Sequence, residues 1–227
     1  MPLPFRLLAI TPPTGPVDPG LVDRWQAVAP GVPLAVLLRE PGAAPPVVLD
    51  PSGRLGPLAR RCRDRAIPLL LSLDLAHLDL ALAAPGLAGL HLRGDPPPAR
   101  LPDLRRRVPG LFGRACHGAP QPGHEHVDYT LLAPIFPPTT AQPGLPLGSK
   151  KPIGLDGLRA WTADPRAVVV ALGGIGPATA AACLAAGAAA LAGIGVFFGP
   201  PDRVEQDVAA LGEQLRAAHV LPPPPRS

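Results

Sequence analysis

Two glycine clusters carry the clearest chemical signal in the chain. Ala171-Leu172-Gly173-Gly174-Ile175-Gly176 closes one apolar run, and Gly193-Ile194-Gly195 closes the next. Glycines at such places let backbone N–H groups approach and wrap an anion, and a helix starting nearby adds partial positive charge. The chemistry is phosphate binding, with Gly173, Gly174, Ile194 and Gly195 as contacts; the competing reading is tight packing at strand ends. Arg39 also ends an apolar run, where a guanidinium usually meets an anion or a carboxylate. His117 ends another, and its reach across neutral pH leaves two readings: an acid/base group, or a residue that hydrogen-bonds a neighbouring loop. Cys116 beside it reads as a small buried hydrophobe and not a nucleophile. His124 and His126 sit in a loop flanked by Pro and Gly without further ligands nearby, which predicts exposed histidines and no metal site.

Something must bring these separated residues together, and the apolar pattern says what. Eight short runs rich in Leu, Val and Ile recur, each followed by a turn signal: Phe5 to Ile10, Pro33 to Leu38, Pro68 to Leu71, Gly89 to Leu92, Leu111 to Cys116, Tyr129 to Phe136, Ala167 to Leu172, and Ala190 to Val196. Continuous apolar runs are what strands buried on both faces require, as in a parallel sheet covered by helices. Between them, Leu55 and Leu58 precede a basic turn. Leu155, Leu158 and Trp161 repeat at helical spacing, and Val204, Val208, Leu211 and Leu215 make an apolar stripe. Pro177 just inside a helix and Gly187 just past it mark a strand, helix, strand unit over residues 167 to 198. Two architectures compete, a closed (β/α)8 TIM barrel and an open doubly wound sheet. Thr11-Pro12-Pro13-Thr14-Gly15 after the first run lacks the GxGxxG spacing of a dinucleotide-binding sheet, which favours the barrel. Arg39, Gly174 and Gly195 would then share the end where the strands terminate.

Bulk properties remove other function classes. At 227 residues and 47% hydrophobic content, the chain can bury one barrel-sized core. A single domain over residues 1–220 is expected, followed by a proline-rich tail over 221–227 that cannot continue a helix. The net charge of +4 is too mild to indicate nucleic acid, and the basic stretch Arg100 to Arg107 alternates with Leu101 and Leu104 like the wet face of a helix. Lys150 and Lys151 are the only lysines, so nearly all positive charge is guanidinium. No apolar run approaches the eighteen or so residues of a membrane span. Three scattered cysteines without CxxC spacing, and an opening MPLPFRLLAI that reads as a first strand, predict a cytoplasmic protein without disulfides. Residues 137 to 154, dense in Pro, Gly and Thr, form a long loop expected on the functional face.

The segment ALGGIGPATAAACLAAGAAALAGIGVFF resembles the phosphate-binding stretch of the thiamine phosphate synthase family, which includes the TenI-like thiazole tautomerases. Other landmarks agree in order: LLRE (Leu37 to Glu40), GLHL (Gly89 to Leu92), GRACH (Gly113 to His117) and DYTLLAPIFPPTT (Asp128 to Thr140). The likeness covers roughly residues 5 to 198 and implies the barrel fold. It also implies coupling of hydroxymethylpyrimidine diphosphate to a thiazole phosphate with release of pyrophosphate, assisted by Mg2+ on the diphosphate. Carried over residue by residue, it makes Arg39, Thr139 and Thr140 substrate contacts, Asp74 and Asp95 metal carboxylates, and His117 the remaining acid/base candidate.

The chain departs from the family pattern at the diphosphate end. Leu37 stands for a Gln, Pro41 for a Lys and Ala141 for another Lys. Asp74 lies one position late and Asp95 one position early, and Ala133-Pro134-Ile135 replaces the tautomerase histidine. These departures leave open a second class of function, a weakened relative that binds a phosphorylated ring as carrier or regulator. A third, a barrel isomerase of another phosphorylated metabolite, also stays open. A phosphorylated small molecule is the partner in all three, and pairing of barrels into a homodimer stays open too.

Overall fold

The structure, a computed structural model, describes residues 3–137 and 151–220. Eight parallel strands close into a ring in sequence order: β1 (Leu7–Ile10), β2 (Leu34–Leu38), β3 (Leu69–Leu73), β4 (Gly89–Leu92), β5 (Leu111–Cys116), β6 (Tyr129–Leu132), β7 (Val169–Ala171) and β8 (Ala190–Gly193). Closure is made by β1, which pairs Leu7 with both Leu34 of β2 and Leu191 of β8. The expected TIM barrel is the observed architecture, and the open sheet is excluded.

Around it lie α1 (Leu21–Val28), α2 (Pro45–Val48), α3 (Gly56–Asp64), α4 (Leu78–Leu82), α5 (Leu101–Arg107), α6 (Gly154–Thr162), α7 (Pro177–Ala185), α8 (Gly195–Phe198) and α9 (Pro201–Val220). Pro177 opens α7 after Gly176, as its position in the sequence predicts. The sixth apolar run, expected to be a strand to Phe136, leaves the ladder at Leu132, because Pro134 has no N–H to pair; the amides of Ile135 and Phe136 bond instead to Leu172 and Gly173. The eighth run leaves its strand at Gly193, and Ile194 enters α8.

Side-chain alternation sorts the strands into two cores. Leu8, Ile10, Ala35, Leu37, Leu70, Tyr129, Leu131, Val170, Ala190 and Ala192 fill the barrel interior, while Leu7, Ala9, Val36, Leu38, Leu69, Leu71, Val169 and Leu191 pack outward against helices. Most strands are therefore apolar on both faces, which is why the sequence shows runs and not alternation.

Two places break the apolar rule. Between β5 and β6 there is only a 3-10 turn, His124–His126, and no α-helix. The outer wall there is covered by Arg114, fully buried, whose guanidinium donates to the carbonyls of Pro122 (2.8 Å) and Gln121 (3.1 Å) and lies over Trp161. Inside, Tyr129 stacks on His91 with ring planes 16° apart and meets the Phe5 ring edge-on. Gly113 makes this possible, since a Cβ there would stand 2.2 Å from the Tyr129 ring.

That contact generates a prediction. Gly113→Ala should lower the unfolding free energy by about 1–3 kcal/mol, the usual cost of overpacking. A denaturant titration that leaves the midpoint unchanged would show that the ring stack is free to move.

Candidate active site

Parallel strands end together, so the loops after them enclose one cavity of about 310 Å³, within the usual range for a small-ligand site. Its wall contains Arg39, His117, Gly173, Gly174, Ile194 and Gly195, each of them a residue expected at the site from sequence. Asp95 lines the adjoining space and reaches the same mouth through His117. Thr139 and Thr140 lie outside the described residues, as does Lys150.

The glycine side is built from the turns after β7 and β8. Gly173 and Gly174 have φ of +97° and +62°, the left-handed region that glycine adopts without strain. A Cβ on Gly174 would meet Phe136 Cβ at 2.7 Å and Pro137 O at 2.9 Å. A side chain there distorts the turn from behind, against Phe136 and Pro137, and does not simply fill the cavity. The Thr179 hydroxyl pins the turn by accepting from the Gly176 amide (3.0 Å) and donating to the Gly174 carbonyl (2.9 Å). The amides of Gly173, Gly174 and Ile194 donate to no carbonyl among the described residues, which leaves them open to an anion.

Across the ring, the ends of β2 and β4 supply positive charge. Arg39 is fixed through its backbone: its amide donates to the buried Thr11 hydroxyl (2.7 Å), which donates to the Arg39 carbonyl (2.9 Å). Its Nη1 is buried with no partner among the described residues, and burial first, then the neighbouring Arg93, hold it below the usual arginine range. Arg93 lines the same cavity and clamps Asp74 with two nitrogens, Nε at 3.2 Å from Oδ1 and Nη2 against Oδ2.

His91, between these arginines and the Tyr129 ring, is pushed down to about 3 by burial, with Arg93 and Arg39 adding to the shift. It is therefore a neutral wall of the site. Ser72 completes this side, and Leu37 presents hydrocarbon beside it.

The two expected metal carboxylates have other partners. Asp74 is held by Arg93, and Asp95 Oδ2 lies 2.9 Å from His117 Nδ1. An ionised carboxylate only accepts, so His117 donates from Nδ1 and keeps Nε2 as its other polar atom. Asp95 Oδ1 is buried with no partner among the described residues, one acceptor and not a cation site. Among the described residues no group of three or more His, Cys, Asp or Glu is placed to hold an ion. A divalent cation here would face the Arg93 guanidinium across Asp74, so this set does not fit magnesium.

Cys62, Cys116 and Cys183 are buried and free, and burial pushes the Cys116 thiol up to about 12, which suits a hydrophobe and not a nucleophile. His124, expected to be exposed, is not: the loop folds onto the end of α6, its side chain is 13% exposed, and Nε2 sits 2.8 Å from Asp164 Oδ2. No described helix is long and apolar enough to cross a membrane. Sequence reasoning missed Arg93, His91 and Ser72. The strand-end position that singled out Arg39 applies equally to Ser72 on β3 and to Arg93 just past β4.

The sequence signature of the family described as thiamine monophosphate synthase matches residues 7–197. The chain belongs to that family. A thiamine-phosphate synthase of Chloroflexus aurantiacus is 34% identical over 187 residues, 80% of this chain and 77% of the relative. One from Nitrosospira multiformis is 29% identical over 200 residues, 86% of this chain and 80% of the relative. The solved thiamine phosphate pyrophosphorylase of Pyrococcus furiosus superposes with a TM-score of 0.63 at 20% identity, covering 94% of this chain and 96% of that one, which supports the fold.

The His91 environment yields a pH prediction. The folded chain keeps the ring neutral, whereas the unfolded chain protonates it near 6.5. Stability from this group is present above about 6.5 and is lost as pH falls toward about 3, because only the unfolded state takes up the proton over that window. By NMR the His91 ring should show no titration between about pH 5 and 8. A ring titrating near its ordinary value would contradict the burial.

Proposed function

We propose that the chain couples hydroxymethylpyrimidine diphosphate to a thiazole phosphate, releasing pyrophosphate and forming thiamine phosphate. The observation that carries this reading is one cavity with anion-receiving groups on two walls, glycine turns after β7 and β8, and Arg39 with Arg93 after β2 and β4. In an eight-stranded ring β7 lies opposite β3, so the two groups of residues face each other across the mouth. Two phosphorylated substrates held on opposite walls place their rings toward each other between them.

In the reaction, the bond between the pyrimidine methylene carbon and the diphosphate oxygen breaks, and its electron pair leaves with pyrophosphate. The thiazole nitrogen lone pair forms the new carbon–nitrogen bond, and the ring becomes a thiazolium. Negative charge gathers on the departing pyrophosphate, where preorganised guanidiniums stabilise it most effectively. Apolar Ile10, Leu37, Leu131 and Leu172 around the cavity limit water that would capture the methylene. His117, its tautomer set by Asp95, supplies a hydrogen bond or proton through Nε2.

A binding-only relative is the second reading, favoured by the engagement of both candidate metal carboxylates in other pairs. One assay separates the two. Purified chain incubated with both precursors should yield thiamine phosphate and pyrophosphate in equal amounts, and His117→Ala should lower kcat by about a hundredfold, typical for loss of a positioned acid or base. No thiamine phosphate, with or without added magnesium, would remove the synthase reading in favour of the binder.

A further inference from the structure

We propose that the guanidinium of Arg93, together with Arg39, takes the place of a divalent cation and forms a metal-independent subsite for the diphosphate of one substrate and for pyrophosphate as product. The proposal deepens the synthase reading and rests on it. Three observations point the same way. Arg93 and Arg39 line one cavity wall, on which Arg93 adds to the burial that lowers the Arg39 guanidinium and both add to the burial that lowers the His91 ring. Two like charges in a half-buried wall are stable together only with compensating negative charge, and Asp74 compensates Arg93 alone. Arg39 Nη1 remains buried and unpartnered among the described residues, a donor left without an acceptor.

The position of the Arg93–Asp74 pair makes the replacement specific. Asp74 lies just past β3 and Arg93 just past β4, and the Arg93 amide donates to the Leu73 carbonyl at 3.0 Å, which ties the two loops together. A metal carboxylate at Asp74 would have to give up two guanidinium contacts to take a cation. Planar guanidinium forks match phosphate oxygens in pairs, and they remain charged at any working pH, so a cluster of two can neutralise a leaving pyrophosphate without an ion. Asp74 then acts as a positioning residue: it holds Arg93 in the wall until the diphosphate arrives and competes with it for the same donors.

The test is calorimetry of the full chain with inorganic pyrophosphate, once in EDTA and once in excess magnesium. The wild type should bind in EDTA, and magnesium should change the affinity by no more than about threefold. Arg93→Met and Arg39→Met should each weaken binding at least about tenfold, with Arg93→Lys in between because it keeps charge but loses the fork. Asp74→Asn gives opposite signs for the two accounts. If Arg93 receives the anion, removing its competitor tightens pyrophosphate binding in EDTA by a few fold; if Asp74 holds a metal, binding is magnesium-dependent and collapses. Melting temperatures of all four variants verify folding, and Asp74→Asn, on an exposed side chain, is the variant least exposed to that concern. Pyrophosphate binding that requires magnesium and is lost in Asp74→Asn overturns the proposal. Product formation is read separately: metal-independent pyrophosphate binding without thiamine phosphate would leave the subsite standing while the synthase reading falls. Product that forms only with magnesium and an intact Asp74 would do the reverse.

Discussion

Closure of the sheet through the β1–β8 ladder is the constraint on which the rest of the molecule depends. Once the ring is closed, every strand must divide its side chains between a dry interior and the helix layer, and all eight C-terminal ends must meet at one rim. The interior row runs from Leu8 and Ile10 round to Ala190 and Ala192, and the polar residues that interrupt it, Ser72 and His91, do so at the rim where the cavity opens. Function is thereby confined to strand ends, and stability to the two apolar layers. Arg39, Arg93, His117 and the glycine turns come from distant parts of the chain but need no long-range device beyond the ring to meet.

Charge at the rim follows from the composition. With positive charge carried almost entirely by arginine, the chain solves its electrostatic problems with planar, permanently charged forks. Arg114 serves structure, satisfied by two carbonyls and an indole face where a helix is missing between β5 and β6. Arg39 and Arg93 serve the cavity, with one carboxylate between them and one nitrogen without a partner among the described residues. A buried guanidinium whose three nitrogens all have partners holds a loop, and one with a nitrogen left over among the described residues is poised for a ligand.

Much of the fold was legible because its signals are local. Eight apolar runs appear as eight strands, two with unchanged bounds (β4 and β5), and the amphipathic stripes over α6 and α9 fall where their spacing put them. The glycine turns were legible for the same reason, since positive φ at Gly173 and Gly174 demands the residue type that is there. What could not be read were pairings between loops. Nothing in the spacing of Asp74, Arg93, Asp95 and His117 says that each carboxylate takes a basic partner from the next strand end, because adjacency of βα loops exists only after the ring closes. His124 failed for the same reason, its partner Asp164 lying 40 positions away.

Two anion walls in one cavity are the feature that joins fold, charge and family membership into a single account. The wall of glycine amides is rigid and neutral, suited to one phosphate; the wall of guanidiniums is charged, suited to a group that gains negative charge as it departs. The most direct test is a titration of pyrophosphate into protein already saturated with thiazole phosphate. The account predicts that pyrophosphate binds one-to-one without displacing the first ligand. Strict competition between the two would contradict it, since both anions would then share one subsite and the opposite walls would have no separate roles.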